Sequence, residues 1–162
     1  MNNLVLKILF VVFLPFLYSC GGKETLSVEK KGFKENVWPK FEPVEYVFES
    51  NGTQEAYYIA LNIGYTQLFS GTELPLVCTL TSPSGEIRVM QKRFWLKSLN
   101  GTHKGVPSGS IWIASAAIWP EIELREKGQY RLEVVCDQPK MMLVGIASMQ
   151  LEIKKGRFLV RK

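Results

Sequence analysis

From Val44 onward the apolar residues of this chain recur at every second position, and this alternation limits the fold more than any other feature. Val44, Tyr46 and Phe48 share one face of a run whose other face carries Glu45, Val47 and Glu49. Tyr57, Ile59, Leu61, Ile63 and Tyr65 alternate with Tyr58, Ala60, Asn62 and Gly64. Leu74, Leu76, Cys78 and Leu80 fall on one face, as do Tyr130, Leu132, Val134 and Cys136. Ile122 with Leu124, and Met149 with Leu151 and Ile153, repeat the pattern. Successive side chains of a strand point to opposite faces, so each run buries one face and wets the other. A helix would place its apolar residues three and four apart.

Turn chemistry separates the runs. Asn51-Gly52, Ser82-Pro83-Ser84-Gly85 and Lys127-Gly128 each supply residues that tolerate or enforce turn dihedrals. Roughly seven or eight such strands predict an all-β, antiparallel two-sheet β-sandwich. Jelly-roll and immunoglobulin-like wrappings both fit, and a closed barrel is the alternative. Residues 91–99 mix Lys92 and Arg93 with Phe94, Trp95 and Leu96 and do not declare an element. Residues 100–110 are rich in Gly, Ser and Thr, and connections of that length often carry function. At Trp119-Pro120 the strand is expected to break or to lie on an edge, because Pro has no N–H to give a neighbour. An edge is also where a partner adds a strand.

The start of the chain reads as an address. Lys7 precedes an apolar run of eleven residues, Ile8 to Tyr18. A membrane-spanning helix needs roughly 20, whereas a secretory signal needs a charged start, a short apolar centre and a small-residue exit. Leu17-Tyr18-Ser19-Cys20 resembles the lipobox of bacterial lipoproteins. That resemblance implies cleavage after residue 19, with a diacylglycerol in thioether linkage and an N-acyl chain, typically palmitate, on Cys20. Two or more chains give stable attachment. Gly21 stands where an Asp would signal inner-membrane retention, so by resemblance the outer membrane is expected, facing the periplasm. Residues 20–36 read as a lipidated tether, 37–155 as the sandwich domain and 156–162 as the end of a basic tail. Lys154, Lys155, Arg157, Arg161 and Lys162 give residues 154–162 five basic side chains and no acid. Such a tail suits an anionic surface, or simply water.

Chemistry-bearing residues are scarce. The chain of 162 residues has one His, His103, and one Asp, Asp137. Its three cysteines cannot make a four-thiolate zinc site. No cofactor or metal is expected, and the chain is not expected to be an enzyme. Nucleic acid is not an expected partner, since export removes the chain from it. Cys78 and Cys136 are a candidate disulfide in an oxidising compartment, with two buried thiols the alternative. His103 reads as a solvated loop histidine, and with the tryptophans as a candidate partner or glycan contact. Trp95, Trp112 and Trp119 make an aromatic middle, read either as core or as a surface for a protein or glycan.

The order of features is similar to the gliding-motility lipoprotein GldH family of the Bacteroidetes. The residues that carry the likeness are Trp38 and Phe41, the strand 58–63 and the turn 83–85. Downstream come residues 96–105, 109–111 and 128–130, then 141–146 and 151–154. Where that family often has an Asp and a Trp around the central Gly loop, this chain has residues 100–105. Where an Arg often follows the second strand, this chain has Gly64. The resemblance implies a lipid-anchored accessory subunit of gliding and type IX secretion machinery, with envelope proteins as partners and no catalytic residues. A glycan-binding envelope lipoprotein using the Trp cluster is the alternative.

Overall fold

The computed structural model describes residues 25–39 and 42–156. Cys20, Phe41 and residues 157–162 lie outside the described residues. Eleven strands follow one another: β1 (Thr25–Gly32), β2 (Val37–Pro39), β3 (Val44–Asn51), β4 (Ala56–Tyr65), β5 (Glu73–Thr81), β6 (Ile87–Trp95), β7 (Val106–Ser108), β8 (Ile111–Glu123), β9 (Lys127–Cys136), β10 (Met142–Val144) and β11 (Ile146–Lys155). A five-stranded sheet in the order β1-β11-β4-β8-β7 packs on a four-stranded sheet in the order β3-β9-β5-β6, and β10 and β2 form a separate ribbon. All pairs are antiparallel.

The wrapping is that of a jelly roll. With the three-residue strands set aside, the first long strand pairs with the last, β1 with β11. The second pairs with the seventh, β3 with β9, and the third with the sixth, β4 with β8. The fourth pairs with the fifth, β5 with β6. One long hairpin folded over on itself gives this nesting.

The alternating faces meet as the periodicity requires. β3 buries every second residue from Val44, β5 every second from Leu74, and β9 buries Tyr130, Leu132, Val134 and Cys136. Ile59, Leu61 and Ile63 of β4 and Met149, Leu151 and Ile153 of β11 meet them from the other sheet. One polar tie crosses this interior: the buried Tyr46 hydroxyl of β3 donates to the Met149 carbonyl of β11 at 2.9 Å. A buried hydroxyl must find such an acceptor or lose the hydrogen bonds water gave it. Trp38 and Leu143 face each other across the ribbon, both buried. The Trp38 Nε1–H donates to the Glu42 carbonyl at 2.8 Å.

One expectation needs correction. The tether of residues 20–36 is largely not a tether. From Thr25 to Gly32 the chain is β1, hydrogen-bonded along β11, and Lys34–Asn36 is a short 3₁₀ turn. An outer strand with one neighbour tolerates interleaved Lys and Glu, so it leaves little trace in hydropathy. The sandwich therefore includes residues 25–36, which the sequence reading leaves outside it. At Trp119-Pro120 the strand lies on an edge, the second of the two outcomes expected, and does not break. β8 runs through Pro120 to Glu123, its register against β4 shifting on either side of Trp119. Beyond the short β7 the other side of β8 has no strand, which is where a residue without an N–H fits.

Candidate functional site

The register fixes which features share an end of the sandwich. Thr25, the first residue of β1, sits opposite Lys154 near the end of β11. The turns 52–55, 82–86 and 124–126 lie at that same end, which we call the terminal end. Residues 33–39 and 42–43 and the connections 66–72, 96–105 and 137–145 lie at the other, the loop end.

The loop end is organised around Tyr65, the last residue of β4. Its hydroxyl lies between the carbonyls of Leu96 and Lys104, 2.6 Å from the latter. Burial raises this phenol above its ordinary value, so it stays a donor. The segment between those two carbonyls is a small hairpin. Lys97 bridges His103, the Lys104 N–H donates to the Leu96 carbonyl at 2.8 Å, and the Ser98 N–H donates to Thr102 at 2.9 Å. Lys97 ties the hairpin to the neighbouring loop through the Phe69 carbonyl. Gly105 seats it against β8. Its φ is +99°, and a Cβ there would stand 2.2 Å from the Ile113 carbonyl oxygen. Only glycine fits both conditions.

His103 is not a solvated loop side chain. Its ring stacks flat on Trp112, with centroids 3.7 Å apart and planes 6° apart, and Tyr65 backs it at 5.6 Å. Its Nδ1 is buried without a hydrogen-bond partner. Desolvation, and then the positive Lys97, hold its pKa below the ordinary 6.5. The imidazole is therefore neutral near pH 7.

The three tryptophans of the middle segment separate. Trp112 joins His103 and Tyr65. Trp95 lies on the far side of the hairpin, 47% exposed, with the Lys104 ammonium 5.7 Å from its ring centroid. Together with Ser98, Leu99 and Asn100 these two residues line an open depression of about 550 Å³. Trp119 belongs to the buried core and is unavailable to a partner. Sequence reasoning missed Tyr65 as the organiser, because its strand position marked it only as core.

Cys78 and Cys136 both point inward, but they are thiols and not a disulfide. Cys78 sits opposite Val134 and Cys136 opposite Leu76, so the two are diagonal neighbours on adjacent strands of one sheet rather than a staple across the sandwich. Burial pushes the Cys78 thiol up to about 12. Shared inward facing was legible in the sequence, whereas the sheet each strand joins was not.

Exposed apolar side chains concentrate at the loop end. Leu68, Leu99, Val106, Met141, Met142 and Val144 are exposed there, in addition to Trp95. At the terminal end the turns are polar and cross-tied. The Glu126 carboxylate accepts from the Ser82 hydroxyl, the Ser84 hydroxyl and the Ser84 N–H, each at 2.8 Å.

Comparison with known proteins gives one family and one set of structures. A model of the GldH lipoprotein family matches residues 26–153. Among solved structures, the chain is similar to the VP2 subviral particle of infectious bursal disease virus. The identity is 14% and the TM-score 0.40, over 83% of this chain and 34% of that one. It is also similar to the Gx strain of the same virus, at 12% identity and TM-score 0.41, over 83% and 33%. The chain thus spans about a third of the length of those viral chains. No curated protein matches the sequence.

Proposed function

The chain belongs to the GldH lipoprotein family, a family of gliding-motility-associated lipoproteins that is not known as an enzyme family, and from that premise we infer that it is a non-catalytic accessory subunit of gliding and type IX secretion-linked machinery, anchored in the outer membrane by lipid on Cys20 and facing the periplasm. The observation that carries this reading is the separation of the two ends. The strand that follows Cys20 enters at the terminal end, while exposed apolar side chains gather at the loop end. Four residues, Gly21 to Glu24, stand between Cys20 and β1. At about 3.5 Å per residue that is a reach of under about 20 Å. The lipid therefore holds the domain close to the bilayer, and the loop end points away from it toward a partner.

Crosslinking of the full-length lipoprotein in cells, followed by pull-down, tests this, with Cys20→Ala as control. Recovery of gliding or type IX secretion components that depends on Cys20 is expected. Recovery of the protein alone would overturn the reading. The exposed Trp95 ring beside its depression favours a second reading, a glycan-binding module. Binding to envelope polysaccharide that disappears in Trp95→Ala would replace the first reading with this one.

A further inference from the structure

Between Glu86 and Glu121 the chain contains no acidic residue, yet it carries Arg88, Lys92, Arg93, Lys97 and Lys104. The fold lays this stretch along one rim of the sandwich. β6 is the outer strand of the four-stranded sheet, and β8 with β7 is the outer strand of the other. Arg88 joins the two rims by donating to the Glu123 carbonyl of β8 at 3.2 Å. Glu86 answers Arg88 at 2.9 Å, and Glu73 answers Arg93 at 3.2 Å. No ion pair among the described residues reaches Lys92, Lys97 or Lys104. The opposite rim, β1 with β3, is of mixed sign, with Glu29 paired to Lys31 and with Glu45 and Glu49 on β3.

β6 has one strand neighbour, β5, and among the described residues no strand pairs with its other side. Its outward side chains include Ile87 at 63% exposure and Val89 at 59%. Its inward positions Arg88, Met90 and Lys92 are only half-buried. A long edge with apolar side chains is a template for another strand, inward charges blunt it against most strands, and a strand that brings opposite charges across from them escapes that penalty. A second copy of β6 would bring positive strand onto positive strand and be repelled. An acidic strand would be attracted.

We propose that β6 takes up a strand from an envelope protein, a segment that alternates aliphatic and carboxylate side chains. Its aliphatic side chains extend the Ile87 and Val89 face. Its carboxylates meet Lys92 on the inner side and Lys97 and Lys104 where the strand reaches the loop end. Backbone hydrogen bonds supply affinity and the charges supply selection. The proposal rests on the reading that this domain docks a protein partner, and adds where and by what chemistry.

Amide hydrogen exchange on the purified lipoprotein in detergent tests it. The probe is a peptide alternating Glu and Val and as long as β6, compared with an alternating Lys-Val peptide, with phosphatidylglycerol vesicles and with the protein alone at rising concentration. The Glu-Val peptide is expected to slow exchange in β6 and not in β1 or β3, with the effect fading as salt rises. Lys92→Glu combined with Lys97→Glu is expected to weaken it by about tenfold or more. Equal protection by the Lys-Val peptide, protection by the vesicles alone, protection that follows protein concentration, or no protection of β6 would each overturn the proposal. A photo-crosslinking side chain at Val89, compared with one at Glu45 on the opposite rim, carries the test into cells. Adducts through Val89 and not Glu45 support β6. Adducts through neither, with Cys20-dependent recovery of machinery components intact, overturn the β6 proposal and leave the accessory-subunit reading standing. Loss of both overturns both.

Discussion

At the terminal end of the sandwich the chain reverses in short turns whose polar groups are spoken for: Glu126 closes on Ser82 and Ser84, and Lys155 pairs with Glu55 at 2.6 Å. At the loop end the connections are longer, their aromatic rings stack edge to core, and aliphatic side chains stand in water. Both ends close the same strands. The terminal turns close the strands on polar contacts, so closure does not by itself call for the exposed apolar residues that gather at the loop end. Soluble domains rarely gather such residues without a binding role.

Trp112→Ala should break the contrast most strongly. It removes the platform under His103 and part of the packing beneath Tyr65. A denaturant melt should register a loss of roughly 3 kcal/mol, with faster amide exchange in residues 96–105 and unchanged exchange in 82–86. Gly105→Ala should cost roughly 2 kcal/mol, read in the same way, because the new methyl meets the Ile113 carbonyl and the backbone is left-handed. Gly52→Ala, at φ +70° and 2.6 Å from the Lys127 nitrogen, is the matching lesion at the terminal end. It should lower global stability by a similar roughly 2 kcal/mol while leaving the exchange pattern of residues 96–105 as it was.

Acid should sharpen the contrast by separating the ends in pH. His103 has a lowered pKa when folded, so its contribution is full above its ordinary 6.5 and is lost as pH falls from there through the lowered value. Glu126 is also lowered, by the Ser82 and Ser84 hydrogen bonds. Its contribution is full above the ordinary 4.5 and is lost only as pH falls below that. Exchange corrected for its intrinsic pH dependence should therefore quicken first in residues 96–105 and only at lower pH in 82–86. Glu126→Gln should remove the second step and spare the first. The smallest effect is expected at Cys78. Buried, with its thiol pushed up to about 12, it should resist alkylation in the folded protein and react only after unfolding.

Strands with one buried and one wet face were legible in the sequence, and β3, β5, β9 and β11 lie where alternation puts them. The outer strands β1 and β6 were not, although β3, outer as well, was. β1 carries Glu29, Lys30 and Lys31 in succession, and β6 carries Arg88 and Lys92 on its half-buried inner side, so neither shows the hydropathy contrast on which the reading depends. The same physics hid much of the site. Trp112 and His103 were singled out by residue type, but their stacking depends on Gly105 bringing a hairpin against β8, a long-range approach that no local pattern records. Trp119 carried the same chemical promise and lies in the core, because the register shifts on either side of it turn it inward next to the buried Ile118.

The pairing of β1 with β11 has a mechanical consequence. If the proposed lipid is on Cys20, drag on the domain reaches the fold through Thr25, the first residue of β1. β1 runs antiparallel to β11 from Thr25 opposite Lys154 to Gly32 opposite Ser148. Tension applied along β1 shears the strand, so its backbone hydrogen bonds share the load instead of opening one after another. An anchor at Cys20 would load the outermost strand in shear, an attachment suited to a part that works under traction.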